Sequence, residues 1–294
     1  MNDMRYAILA LWFLILAVSC APETQTFDIQ GHRGARGHLP ENTIPSFLWA
    51  LNNGASTLEL DLAMSIDSLL VISHEPWISP NICRDTSGQA LQADTQYHLN
   101  LFQMDYASIK KYDCGSVYQK DFPYQQLQLA HKPLLTDLLD TLSKLNTLIP
   151  INVEIKSRPQ WDSIYYPSIE MFVNELLGVL TQFNYQKHTT IQSFDLRPLQ
   201  YLSETDYRGK IALLVGECES PLSKVGKLYP LPDIISPNHK LVDIELLRQT
   251  KEKGIQVIPW TVNEKKQMSQ LIELGVDGII TDYPDRLDSL LNNY

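Results

Sequence analysis

The sequence predicts an α/β protein of the TIM-type (β/α)8 barrel class, and two observations support this prediction. From residue 28 onward, short apolar runs typical of strands alternate with amphipathic runs typical of helices, which is the pattern of a parallel α/β sheet. The chain has 294 residues, and a barrel of this class needs about 250 residues as one unit. Because two small domains would also fit this length, the order of the elements decides for the barrel.

Nine segments have the length and composition of strands, one more than an eight-stranded barrel needs. The segments at 57–62 and 69–73 are joined by a link that is too short for a crossover helix, since parallel neighbours need about a dozen residues or more between them. The sequence leaves the local topology open at this point. The predicted strands are residues 27–30, 57–62, 69–73, 151–155, 189–193, 211–215, 234–236, 256–260 and 278–281.

Helical runs fit between most of these strands, and some begin or end at characteristic residues. The run at residues 45–53 follows Thr43, a good capping residue, and stops at Gly54, as expected from the preferences at helix ends. We expect a further helix at residues 137–145, with Thr136 as its cap.

The first twenty residues differ from the rest of the chain and predict an export signal. One cation, Arg5, precedes an almost uninterrupted apolar run at residues 6–18, which is too short to span a bilayer comfortably. The run ends at Leu16-Ala17-Val18-Ser19-Cys20, which resembles the lipobox of bacterial lipoproteins, whose Cys is lipidated. We therefore expect a signal peptide at 1–20, a single barrel domain at 21–294, and a membrane-anchored lipoprotein on the periplasmic or cell-surface side. The alternative is ordinary cleavage near Ala21 and a periplasmic or secreted product.

A long irregular stretch from residue 75 to about 132 predicts an insertion after the third strand. It lacks clean periodicity and is too long for an ordinary loop between a strand and a helix, so we expect it over one mouth of the barrel. Cys83 and Cys114 both lie within it. Because compartments outside the cytoplasm permit disulfides, these residues either bridge the insertion or remain two unconnected buried thiols.

Composition argues against a nucleic-acid partner. The formal net charge is −10, and no cluster of Lys and Arg is visible, whereas proteins that bind nucleic-acid backbones need such clusters. Hydrophobic residues make up 44% of the chain and charged residues 20%, which is ordinary for a globular protein. One or two local cations would still suffice for a small phosphate.

Three carboxylates predict a metal site at the carboxyl ends of the strands, where a (β/α)8 barrel builds its active site. Glu59 and Asp61 are two apart in one predicted strand and so point to the same face, and Glu154 lies in a later strand. Like charges on one inward face are costly unless a cation lies between them. Because no Cys or set of His joins them, they suit one Mg²⁺ or Ca²⁺ ion rather than Zn²⁺. The Leu residues that alternate with Glu59 and Asp61 argue against a surface salt-bridge ladder.

Two histidines at strand ends are candidates for an acid and base pair. His32 follows the first strand beside Arg33, and His74 ends the third. Such a pair can divide phosphodiester cleavage, because one removes a proton from the nucleophile and the other protonates the departing alkoxide. A lone His at a strand end is more often structural, so the hypothesis depends on Arg33 and the carboxylates nearby. Trp260 would add an aromatic wall, although in isolation it is more often a core residue.

Seven ordered blocks resemble the glycerophosphodiester phosphodiesterase family over nearly the whole chain after the signal. The blocks are His32-Arg33-Gly34 with Pro40-Glu41-Asn42-Thr43, Glu59-x-Asp61, Ser73-His74, Asn152-x-Glu154-x-Lys156, Ser193-Phe194-Asp195, Trp260-Thr261-Val262-Asn263, and Gly275-Val276-Asp277-Gly278-Ile279-Ile280-Thr281-Asp282. The resemblance implies a divalent metal, often Ca²⁺ or Mg²⁺, bound by Glu59, Asp61 and Glu154, an acid and base at His32 and His74, and phosphate-binding side chains at Arg33 and Lys156.

The resemblance predicts hydrolysis of a small-molecule glycerophosphodiester to glycerol 3-phosphate and an alcohol. Direct attack by water and a cyclic phosphate formed by a glycerol hydroxyl both remain open. A lipid-headgroup phosphodiesterase of phospholipase D or C type is one alternative, which an apolar rim beside the mouth would favour. A non-catalytic, ligand-binding surface lipoprotein is another, but a binding protein has no need for an acid and base pair.

Overall fold

Eight parallel strands form a barrel in the described part of the chain, residues 27–93 and 98–292 of a computed structural model. The strands are β1 Asp28–Gly31, β2 Thr57–Met64, β3 Leu70–Ile72, β4 Ile151–Ile155, β5 Thr189–Ser193, β6 Lys210–Val215, β7 Ile234–Pro237, β8 Gln256–Val257 and β9 Gly278–Thr281. The parallel neighbours follow the order β8-β7-β6-β5-β4-β2-β1-β9. Ile280 N donates to Pro259 O at 3.0 Å, and Val262 N donates to Ile280 O at 3.0 Å, so the two ends of the sheet meet. The predicted (β/α)8 barrel is confirmed.

The ninth strand, β3, is antiparallel to β2 and lies outside the barrel order. Its register places Ile72 opposite Leu62 and Leu70 opposite Met64. A hairpin needs only a short connection, which explains why the link between these two predicted strands is too short for a crossover helix. The strand beside β2 in the barrel itself is β4, which pairs with it in parallel.

Helices follow most of the barrel strands. They are α1 Ile44–Asn52, α2 Tyr106–Ile109, α3 Leu135–Lys144, α4 Ile169–Gln182, α5 Leu196–Ser203, α6 Pro221–Val225, α7 Ile244–Glu252, α8 Lys265–Leu274 and α9 Pro284–Leu291. Thr43 caps α1 as predicted, because its side chain accepts a hydrogen bond from Ser46 N. The predicted cap at Thr136 is wrong: α3 begins at Leu135, and the Asp137 carboxylate accepts from Leu134 N at 2.9 Å, which places Thr136 inside the first turn. No helix in the described ranges is both long and apolar enough to cross a membrane.

The alternation of side chains on β2 divides the apolar core from the polar interior of the barrel. All eight residues of β2 are buried, and Leu58, Leu60 and Leu62 belong to the main apolar cluster with Phe47 of α1. Successive residues of a strand point to opposite faces. The residues between these leucines, Glu59 among them, therefore point into the barrel.

The insertion lies between β3 and α3 and has a small core of its own. Ile78, Leu101 and Ile109 pack there with the two cysteines, and Cys83 and Cys114 form a disulfide. Of the two alternatives left open by the sequence, the bridge is the one observed. Gln126 N donates to His38 O at 2.8 Å, so the insertion packs against the loop that follows β1. The predicted signal peptide at 1–20, with Cys20, lies outside the described residues.

Candidate active site

Three buried carboxylates meet on the inner face of two adjacent strands. Glu59 and Asp61 come from β2 and Glu154 from β4, and the strand register places Asp61 opposite Glu154. Ligand oxygens of the three residues lie within 4.8 Å of one another, and all three residues are buried. Burial, together with repulsion from Asp61, raises the pKa of Glu59 well above its usual range. Like charges held this close in a buried site need a cation to balance them.

The hydrogen bonds around the carboxylates fit a hard divalent cation. Gln192 Nε2 donates to Glu59 Oε1 and Arg33 N donates to Glu59 Oε2, each at 2.8 Å. Asn42 Nδ2 donates to Asp61 Oδ2 at 2.9 Å. In contrast, Asp61 Oδ1 is buried and has no hydrogen-bond partner among the described residues. An all-oxygen donor set with one unsatisfied carboxylate oxygen suits Mg²⁺ or Ca²⁺.

His32 contacts the buried carboxylate of Asp282, which lies near the other end of the chain. His32 Nδ1 lies 2.7 Å from Asp282 Oδ1. Burial outweighs the attraction of Asp282 and, with repulsion from Arg36 and Arg33, lowers the pKa of His32 to about 4. Although burial opposes it, Arg36 and His32 hold the pKa of Asp282 below its usual range. The neutral imidazole therefore carries its proton on Nδ1, next to the ionised carboxylate, and Nε2 is left as an acceptor.

His74 has the same kind of partner on the other side of the site. Its Nδ1 lies 2.8 Å from Glu75 Oε1. Burial would raise the pKa of Glu75, but the hydrogen bond and the charge of His74, with the charge of Lys132, lower it to about 2. An ionised Glu75 thus orients the His74 ring, and Nε2 is the nitrogen left for chemistry.

Two buried cations flank the carboxylates. Lys156 Nζ lies 2.9 Å from Glu154 Oε1 and 3.6 Å from Asp61 Oδ1. Arg33 Nη1 lies 2.9 Å from Glu41 Oε1, and its Nε lies 3.2 Å from Asp61 Oδ2 in an ion pair without hydrogen-bond geometry. Arg33 has a positive φ of 50°, a backbone conformation that is uncommon outside glycine. With this backbone conformation the Arg33 N–H contacts Glu59, while its guanidinium contacts Asp61 and Glu41.

One cavity of about 350 Å³ brings the predicted residues together. Trp260 forms part of its wall. The ring is held in place by an edge-on contact with Phe194 at 5.4 Å and by a hydrogen bond that its Nε1 donates to Ser236 O at 2.8 Å. Asp61 does not line the cavity but contacts its cations. The predicted residues that line it are His32, Arg33, Glu59, His74, Glu154, Lys156 and Trp260.

Several residues of the site were not predicted from the sequence. For Asp282 the resemblance to the family predicts no role, although its position directly after a strand is a usable signal. Gln192 lies near the end of β5, and its place on the inner face follows from strand alternation. Lys132 carries no such signal, because it lies in the irregular insertion. Its buried Nζ donates to Ser73 Oγ at 2.8 Å, directly beside His74.

Comparisons with known proteins agree with this geometry. The model of the glycerophosphoryl diester phosphodiesterase family matches residues 32–286. A glycerophosphodiester phosphodiesterase from Caldanaerobacter subterraneus is 28% identical over 274 residues, which cover 88% of this chain and 96% of that protein. A lysophospholipase D from Mus musculus is 26% identical over 292 residues, which cover 90% of this chain and 85% of that protein.

Solved structures share the fold. A crystal structure from Silicibacter pomeroyi, described by the same family name, has a TM-score of 0.83 at 28% identity and covers 92% of this chain and 94% of that one. An Oleispira antarctica phosphodiesterase in complex with its product sn-glycerol-3-phosphate has a TM-score of 0.70 at 20% identity, with 90% and 96% of the two chains covered. The present chain is an enzyme, a phosphoric diester hydrolase, and it belongs to the glycerophosphoryl diester phosphodiesterase family.

Proposed function

We propose that the enzyme hydrolyses glycerophosphodiesters to glycerol 3-phosphate and an alcohol, and that Glu59, Asp61 and Glu154 bind one Ca²⁺ or Mg²⁺ ion. The observation that carries this proposal is Asp61 Oδ1, which is buried and lacks a hydrogen-bond partner in the described residues, within a trio of carboxylates. A bound ion would polarise the phosphate and stabilise the charge that develops on its oxygens.

The two histidines act as the base and the acid. His32 is neutral, so its Nε2 accepts the proton of the nucleophile, which is either water or a glycerol hydroxyl. As the imidazolium forms, Asp282 stabilises its charge through the hydrogen bond at 2.7 Å. His74 gives a proton to the departing alkoxide, while Glu75 keeps its ring in place. Each histidine has its orienting carboxylate on Nδ1, as an acid and base pair requires.

Arg33 and Lys156 bind the phosphate oxygens. Both side chains are buried and lie against the carboxylate trio, and both line the cavity. Donors that are already in position when negative charge develops usually contribute the largest share of catalysis. Trp260 packs against the carbon atoms of the glycerol group and limits access of water from that side.

The relatives support this substrate class. The structure of the Oleispira antarctica phosphodiesterase is a complex with the product sn-glycerol-3-phosphate, and the Caldanaerobacter subterraneus relative is named for the glycerophosphodiester activity. The name of the mouse relative, lysophospholipase D, favours a lysophospholipid as a second candidate substrate. The same bond would then be cleaved in a substrate that carries one acyl chain.

We further propose that the enzyme is exported and anchored to a bacterial membrane through a lipid on Cys20. The apolar run at residues 6–18 and the lipobox-like residues before Cys20 support this. Radiolabelled palmitate incorporation into the full chain, and its loss in Cys20→Ala, would test the anchor. Equal label in both proteins would contradict it.

Release of glycerol 3-phosphate tests the activity directly. The protein without residues 1–20 is assayed with glycerophosphocholine, glycerophosphoethanolamine and lysophosphatidylcholine, before and after EDTA and with Ca²⁺ or Mg²⁺ restored. We expect release that EDTA abolishes, that the ion restores and that His32→Ala lacks. Lysophosphatidic acid formed only from the lysolipid would instead support the lipid candidate, and activity that survives EDTA would refute the metal site.

A further inference from the structure

A second, larger cavity opens beside the catalytic cavity. It has a volume of about 640 Å³ and shares four lining residues with the first: Glu154, Lys156, Arg158 and Phe194. The loops after β4, β5 and β6 form its walls. We call it the side groove and define it by Arg158, Trp161, Arg197, Glu219, Lys224 and Lys227.

Apart from Lys156, four cations line the side groove, and two of them are already neutralised. Arg197 forms ion pairs of 2.6 Å with both Asp162 and Asp195. Lys224 Nζ lies 2.7 Å from Glu219 Oε1. These pairs leave no carboxylate of the groove wall free for a cationic ligand, apart from the metal-site Glu154.

The other two cations, Arg158 and Lys227, form no ion pair within the described ranges. The Arg158 guanidinium lies 4.6 Å from the ring centre of Trp161. Trp161 is itself packed against Trp77 at 6.1 Å and Tyr165 at 5.4 Å. A guanidinium stacked on a fixed aromatic ring presents its donors in a defined plane, which suits a carboxylate or a phosphate. The groove is therefore positive on a chain whose net charge is −10.

A phosphodiester has two ester arms, one on each side of its phosphate. The residues that line both cavities mark the junction between them, and the phosphate fits at this junction. Lys156, which we assign to the phosphate, lines both cavities. With the phosphorus beside Lys156, the glycerol arm fits the smaller cavity next to Trp260 and the alcohol arm extends into the groove. On the basis of the proposed function, we propose that the side groove binds the alcohol arm and selects alcohols that carry an anionic group, through Arg158 and Lys227.

Matched substrate pairs test this selection. Glycerophosphoserine differs from glycerophosphoethanolamine only by a carboxylate, and glycerophosphoinositol 4-phosphate differs from glycerophosphoinositol only by a phosphate. The full chain is assayed for kcat/KM of glycerol 3-phosphate release. We expect an advantage of about tenfold for the anionic member of at least one pair, since one charge-assisted hydrogen bond corresponds to about this factor. The pair that shows it identifies the anionic group.

Variants then assign the advantage to the two cations. Arg158→Gln and Lys227→Gln should each lower the ratio of kcat/KM between the anionic and the neutral-arm substrate toward one. Lys253→Gln is the matched control, because Lys253 is also exposed but lies just before β8, at the opposite end of the barrel. It should leave the ratio unchanged and thereby exclude an effect of net charge.

The outcomes separate the groove from the proposed function. Turnover of glycerophosphoethanolamine without any advantage for either anionic substrate would overturn the groove assignment and leave the function intact. An advantage that persists in both Arg158→Gln and Lys227→Gln would also overturn it. If no diester releases glycerol 3-phosphate, the proposed function fails, and calorimetric binding of each pair to His32→Ala with Ca²⁺ then decides the groove. Equal affinities within both pairs would overturn it.

Discussion

Replacement of Asp282 by Asn tests whether the carboxylate behind His32 supports catalysis. The Asp282 side chain is completely buried and accepts hydrogen bonds from His32 Nδ1 at 2.7 Å, Arg36 Nε at 2.8 Å and Asn263 Nδ2 at 2.7 Å. Asn has nearly the same shape but no charge. The substitution therefore removes the stabilisation of the imidazolium that forms when His32 takes a proton.

The size of the effect follows from the hydrogen bond that is lost. A hydrogen bond to a charged group contributes about 1.5–3 kcal/mol, so kcat/KM should fall by about ten- to 150-fold. Burial already lowers the pKa of His32 to about 4 against the attraction of Asp282. Without that attraction the pKa falls further, so His32 becomes a weaker base, and any acid limb that reports it moves to lower pH.

The assay is kcat/KM for glycerol 3-phosphate release across a pH series, with the melting temperature measured on the same samples. Asp285→Asn is the matched control, because Asp285 Oδ1 lies 2.9 Å from His38 Nε2 in a similar pair outside the cavity. We expect less than about a twofold change for this partly exposed pair. A folded Asp282→Asn variant with wild-type kcat/KM, or an equal loss in Asp285→Asn, would refute the reasoning.

Three further predictions concern the metal and the pH. Gln192→Ala should weaken Ca²⁺ or Mg²⁺ binding by about 10- to 100-fold in calorimetry, because it removes the donor that orients Glu59. An ion at about 100 times its Kd should stabilise the fold by about 2.7 kcal/mol and raise Tm by about 4–5 °C. Asp61→Asn should remove most of this gain. The free energy of unfolding should fall as pH drops from 6.5 toward 4, because the unfolded chain takes up a proton at His32 before the folded protein does. This loss is at most about 3 kcal/mol, and urea titrations of His32→Asn should lack it.

Each of these has a clear contrary result. Unchanged ion affinity in Gln192→Ala would mean that its hydrogen bond does not orient the ligand. If samples with EDTA and samples with a divalent ion have the same Tm, the proposal of a metal site is refuted. Identical pH dependence of wild type and His32→Asn between pH 6.5 and 4 would mean that other groups account for the acid sensitivity.

The shared inner face of Glu59 and Asp61 could be predicted from the sequence because it depends on strand alternation alone. The position of Glu154 beside them depends also on the pairing of β2 with β4. Glu59 and Asp61 must share a face of β2, and the leucines that alternate with them require that this face is not the one packed on the helices. The topology of β3 could not be predicted in this way. A short apolar run after a short link has the composition of either a barrel strand or a hairpin arm, and only pairing with β2 decides between them.

The partnership of His32 with Asp282 needs one further fact, the register in which the barrel closes. The two residues are 250 positions apart, and no local pattern joins them. The register, however, pairs Gly31 of β1 with Thr281 of β9, so the next residues on these two parallel strands must be neighbours at the mouth. Both residues are candidates because each follows the carboxyl end of a strand, where the active site of such a barrel lies. The closure of the barrel between β1 and β9 then brings the two side chains together. The position of Lys132 cannot be predicted from strand ends or from barrel closure. Lys132 contacts Ser73 because of the way in which the insertion folds around its own small core. Site residues at the ends of barrel strands can thus be predicted from the sequence once the register that closes the barrel is known. Site residues that lie in an insertion can be located only from the structure.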